Sequence, residues 1–145
     1  MKQEHVIGEE HPARRAARVS MGAVMAGRKS EWLGLFAPDA LIEDPVGPSF
    51  LDPEGRGHRG RDGIEAFWDG FISTIANFDF AVADSFANGA CCANVVTITT
   101  TTGDGATMTI DCVIVYTVDD DGLITSLRAH WEPDRALATL TKTAR

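Results

Sequence analysis

Positive charge is scarce in this sequence. Thirteen Lys and Arg stand against twenty-one Asp and Glu, a formal net charge of -8 over 145 residues, which sets the surface against phosphate backbones and anionic membranes. No nucleic acid and no membrane is expected as a partner. Long apolar runs are missing as well: nothing approaches the ~20 residues that cross a bilayer. The first ten residues carry Glu4, Glu9 and Glu10 and no apolar run, unlike a signal or transit peptide, so a cytoplasmic protein is expected. Cysteine is limited to Cys91, Cys92 and Cys112. An odd number with no C-x-x-C predicts reduced thiols packed as small apolar groups. The four histidines, His5, His11, His58 and His130, are scattered and offer no zinc spacing. With no P-loop, dinucleotide fingerprint or G-x-S-x-G elbow either, no metal and no cofactor is expected.

What is present suits one globular domain. The chain is 44% hydrophobic and 23% charged, and a domain of this length buries roughly 68–70% of its unfolded surface. From His11 to Gly27, apolar residues Ala17, Met21, Val24 and Met25 recur on one face, predicting an amphipathic helix with Pro12 in its first turn. Ser30 is expected to cap a short helix over Glu31–Phe36. Ala40–Asp44 reads as a strand, and Gly47–Gly60 as a Pro- and Gly-rich loop. Helical spacing returns with the stripe Ile64, Phe67, Trp68, Phe71 and Ile75. Beyond Asn77 four strands are predicted, Phe78–Ser85, Ala93–Thr102, Met108–Val118 and Leu123–Trp131, separated by Gly- and Asp-rich turns. Helices followed by hairpin-linked strands indicate an α+β fold with helices on one face of an antiparallel sheet. The domain is expected over residues 11–132, with an N-terminal arm over 1–10 and a tail over 133–145.

Few titratable residues are placed for chemistry. In a strand with period two, Asp44 shares a face with Ile42 while Leu41 and Glu43 point the other way. A carboxyl beside apolar residues gains proton affinity and becomes a better base; alternatively, an Asp before Pro45 simply organises the turn. Asp111 lies between Ile110 and Cys112 in an apolar strand, where an ionised carboxyl would be costly to bury.

The runs Leu35-Phe36-Ala37-Pro38-Asp39-Ala40 and Ile42-Glu43-Asp44-Pro45-Val46-Gly47, together with Gly60–Trp68 and Asp121–Trp131, resemble the corresponding segments of Δ5-3-ketosteroid isomerases. The loop Pro48–Gly60 is similar to that of steroid-isomerase-like proteins from actinobacteria. The resemblance covers Val19 to Trp131. It implies the cone-shaped fold of the nuclear transport factor 2-like superfamily, in which helices and a curved sheet enclose a deep apolar pocket suited to a steroid-like ligand. It also implies Asp44 as general base, with an oxyanion hole that in the family combines a Tyr with a protonated Asp.

The match breaks at the oxyanion hole. Ser20 stands where the family keeps its tyrosine, and its hydroxyl is shorter. Aligned without a gap from Asp121-Gly122, Ile114 takes the second donor's position. Asp111 then lies three residues away, on the opposite face unless a bulge intervenes. Tyr116, the only tyrosine, falls on the Ile114 face and is a candidate replacement donor. Catalytic roles are therefore expected for Asp44, Asp111 and Tyr116. Ser20, Val24, Phe67, Trp68, Ile114 and Trp131 are expected to line the pocket, and Trp32 and Phe36 to be ordinary core. Two other functions fit the same resemblance: a steroid or lipid carrier without turnover, and a polyketide cyclase. Epoxide hydrolysis fits poorly, because Thr109 stands where that branch has an Arg two residues before its Asp. Val113 and Val115 on the outer face of the sheet predict a homodimer.

Overall fold

The computed structural model describes residues 10–142. Of the expected N-terminal arm only Glu10 lies within them; residues 1–9 and 143–145 are outside the described residues. Helix α1, Pro12–Ala26, begins where His11 Nδ1 accepts the Ala13 N–H at 3.0 Å, satisfying a donor the helix itself cannot. It stops at Gly27, whose φ of 69° is the left-handed conformation that favours glycine. Ala13, Ala16 and Ala17 are buried on its inner face, so small side chains let the helix sit close to the sheet.

The second helix differs from expectation. Helix α2 spans Lys29–Leu33, and Ser30 lies inside it rather than capping it. The chain re-enters helix directly after Gly27, and Lys29 reaches Glu65 and Asp69 at 2.8 and 2.9 Å. Those two acids belong to α3, Gly60–Gly70, which is shorter than its apolar stripe suggested. A 3-10 turn follows over Ile72–Thr74, where Ser73 and Thr74 hydroxyls donate back to the Asp69 and Phe71 carbonyls. Such bonds compete with continued α-helix.

Seven strands form one sheet in the order β2-β1-β6-β5-β4-β3, with β7 added beside β5. The strands are β1 Phe36–Glu43, β2 His58–Arg59, β3 Asn77–Asn88, β4 Cys91–Thr101, β5 Ala106–Val118, β6 Ile124–His130 and β7 Thr141–Lys142. All pairs are antiparallel except β1 with β6, which run parallel. The sheet is curved and does not close, and α1 and α3 pack on its inner face. Gly57 fits against β1 because a Cβ there would stand 2.8 Å from the Ile42 carbonyl oxygen.

The expected tail over 133–145 is in part built into the sheet. Helix α4, Pro133–Leu137, buries Ala136, and the Thr139 hydroxyl accepts the Thr109 N–H at 2.8 Å. The physical reason is an open ladder edge: β6 covers only Val113–Val118 of β5, leaving the earlier backbone groups of β5 for the C-terminal segment to satisfy.

Candidate active site

Asp44 follows the end of β1 and Trp131 follows the end of β6. Because those strands are parallel neighbours, with Glu43 opposite Arg128, both residues emerge at the same rim of the sheet. The Trp131 indole N–H donates to Asp44 Oδ1 at 2.7 Å, a short distance for a bond to an ionised acceptor. Asp44 as a residue is half-buried, and its carboxyl lines an apolar cavity. Burial raises its pKa to about 6, against the opposing effect of the Trp131 bond.

A second polar group faces the same cavity. Tyr116, buried on the inner face of β5, donates its phenol to Ser20 Oγ at 3.2 Å, and the Trp32 indole donates to that oxygen at 3.1 Å. Ser20 is 1% exposed on α1. Its oxygen thus accepts from two donors. Accepting bonds polarises the hydroxyl, which then donates its own hydrogen more strongly. Burial raises the pKa of Tyr116, with the Asp44 charge adding to the effect, so its phenol stays protonated as a hydrogen-bond donor.

Ser20, Val24, Asp44, Phe67, Ile114, Tyr116 and Trp131 all lie on the cavity wall. Two expected site residues do not. Trp68 is buried one layer back, its ring 5.2 Å from that of Trp32. Asp111 is exposed and points away: burial in β5 alternates through Ile110, Cys112, Ile114 and Tyr116, and no register shift interrupts the β4–β5 pairing at Asp111. Its carboxylate bonds Thr97 and Arg135 on the outer face. Exposed ion pairs of this kind contribute roughly 0–1 kcal/mol. Asp111→Asn is therefore expected to leave turnover of any substrate of this cavity within about twofold of wild type, measured as kcat/KM.

Trp32 is core as expected, 1% exposed, and also forms part of the wall, together with Met21, Phe71, Phe78 and Phe80. The period-two aromatics Phe78 and Phe80 are the one local signal for this. The cavity is also tighter than a deep pocket: about 50 Å³, against the roughly 300–1,000 Å³ of typical ligand sites. A fused-ring guest needs wall side chains to move.

Cys112 offers no thiolate nucleophile, since burial, with the Asp44 and Asp111 charges, pushes its thiol up to about 12. Among the described residues no group of three His, Cys, Asp or Glu is placed to hold a metal ion. None of their helices is long and apolar enough to cross a membrane.

Residues 17–127 match the family model for the SnoaL-like domain. A steroid Delta-isomerase of Nocardioides simplex is 33% identical over 119 residues, covering 82% of this chain and 89% of that protein. Among solved structures, the Delta 5-3-ketosteroid isomerase from Mycobacterium sp. superposes with a TM-score of 0.82 at 32% identity, covering 92% of this chain and all of that one. A Mycobacterium tuberculosis protein in complex with estradiol-17beta-hemisuccinate gives 0.81 at 30% identity, covering 91% of this chain and 99% of that one.

Proposed function

Since the chain belongs to the SnoaL-like domain family, we propose that it is an isomerase that moves a double bond next to a ketone in a steroid-like substrate, with Asp44 carrying the proton. The observation that supports this most is the pairing of two polar centres in one apolar cavity. One is a carboxyl titrating near 6 and held by Trp131; the other is the Tyr116–Ser20–Trp32 cluster. Ionised Asp44 removes a proton from the carbon between ketone and alkene, and the electron pair moves onto the ketone oxygen. The Tyr116 phenol turns from Ser20 to donate to the resulting dienolate, and the Ser20 hydroxyl donates its own hydrogen beside it. Neutral Asp44 then returns the proton two carbons along, and the product is the conjugated enone. With Oδ1 engaged by Trp131, Oδ2 is the oxygen that takes the proton. Positioned proton transfer of this kind contributes about 10²–10⁴-fold.

The test is conversion of 5-androstene-3,17-dione, followed by the ultraviolet absorbance of the enone. Since only ionised Asp44 can accept the proton, kcat/KM is expected to rise tenfold per pH unit below about 6 and to level off above it. A flat profile from pH 5 to pH 8 counts against Asp44 as base. A second reading, a ligand carrier without turnover, is favoured by the short Ser20 hydroxyl, which stands in for a longer donor. Equilenin binding with no enone formed would select it.

The outer face of the sheet supports a homodimer. Val95 and Val113 are 41% and 38% exposed side by side in register on β4 and β5, bordering a groove that Asp111, His130 and Arg135 also line. Sedimentation at micromolar concentration is expected to give twice the chain mass, and Val113→Asp to give the monomer.

A further inference from the structure

A second hollow adjoins the inner cavity. It lies between α1 and the edge strand β3, measures about 320 Å³, and shares two wall residues with the inner cavity, Met21 and Phe80. Met25 and Val82, 45% and 48% exposed, make its apolar outer wall. Its polar side is held together by hydrogen bonds. Arg14 Nε donates to Ser85 Oγ at 3.1 Å, that hydroxyl meets the Cys92 thiol at 3.2 Å, and Asn94, 3% exposed, faces the hollow. At the rim, Arg18 grips the Glu10 carboxylate through Nε at 3.0 Å and Nη2 at 2.9 Å. Arg14 and Arg15 add their field to the same carboxylate. One guanidinium is thus paired with the acid and two more act on it through their charge, in a chain whose net charge is -8. The Glu10 carboxylate marks a seat for an anion.

We propose that this hollow is the outer compartment of the binding site and takes the anionic tail of an amphipathic ligand whose ring system fills the inner cavity, with Met21 and Phe80 as the movable partition. It rests on the reading of the inner cavity as a seat for an apolar ring system. The inner cavity alone is too small for such rings, and the joined volume reaches the usual range for ligand pockets. Methionine, unbranched with three rotatable bonds, is suited to yield. A tail carboxylate would replace Glu10 against Arg18 and Arg14, by charge-assisted bonds that a neutral tail cannot make.

The experiment is calorimetric titration with lithocholate and with its methyl ester, which differ by the tail charge and one methyl group. Lithocholate is expected to bind about tenfold tighter or more, and added salt to erode the difference. In Arg14→Gln/Arg18→Gln the two ligands should bind equally, at the affinity wild type shows for the ester, which also verifies that the variant is folded. Glu10→Gln, which removes the competing acid, should strengthen lithocholate binding. Equal affinities in wild type, a preference that survives the double variant, or no binding of either ligand would overturn the proposal. Turnover of 5-androstene-3,17-dione by wild type, measured in parallel, separates the two readings. Turnover with equal affinities removes only the outer compartment, whereas a charge preference without turnover removes only the isomerase.

Discussion

Asp44→Asn is expected to lower kcat/KM for the enone-forming reaction by about 10²–10⁴-fold while making the protein more stable at neutral pH. The first effect follows from chemistry: the amide accepts a hydrogen bond from Trp131 but no proton. The second follows from linkage. The folded state holds the Asp44 proton until about pH 6, whereas an ordinary Asp releases it near 3.8. Asp44 therefore contributes stability that is fully present below pH 3.8 and lost as the pH rises through 6. At 1.36 kcal/mol per tenfold change in proton affinity, the buried charge costs about 3 kcal/mol at pH 8. Thermal denaturation should show the variant melting several degrees above wild type at pH 8, the gap narrowing toward pH 4. Equal melting temperatures at both pH values would show that the carboxyl is solvated in the folded protein, and the raised proton affinity on which catalysis depends would be lost with it.

Tyr116→Phe carries the second large effect. The phenol is the longer of the two donors at the ketone end of the cavity, and Ser20 keeps the Trp32 bond without it. Removal of one oxyanion donor costs about 2.7–4 kcal/mol in the transition state. A fall of about 10²–10³-fold in kcat is expected, with KM little changed because the ground-state ketone gains less from the bond than the dienolate does. Ser20→Ala should reduce kcat as well, but it also leaves the Tyr116 and Trp32 donors without their acceptor. That penalty of about 1–3 kcal/mol makes it the less clean probe. A Tyr116→Phe enzyme within about threefold of wild type would leave the dienolate oxygen with no identified long donor.

The part of this site that lies on strands or at their ends was legible. Period two alone separated Asp44 and Ile42 from Glu43, which bonds Arg128 on the other side, and set Ile114 and Tyr116 against Asp111. The apolar neighbours of Asp111 suggest burial, yet alternation turns it to solvent. Trp32 could not be read as a site residue: its bond to Ser20 joins two helices around the left-handed turn at Gly27, a contact no periodicity encodes. The C-terminal segment was opaque for a similar reason, since its partner is an unpaired stretch of β5. Cavity size was beyond reach altogether, because it depends on how Met21, Phe71 and Phe80 orient their side chains.

The parallel contact between β1 and β6 has a consequence for engineering this protein. Proton acceptor and indole leave together from the ends of two strands locked in register, so their mutual pose is set by the sheet, with Phe50 of the intervening loop set edge-on against the indole at 6.2 Å. Pro53, Glu54 and Arg56 can therefore be exchanged to reshape the rim for larger guests while the acid keeps its aim, provided that Phe50 and the close-packed Gly55 and Gly57 stay.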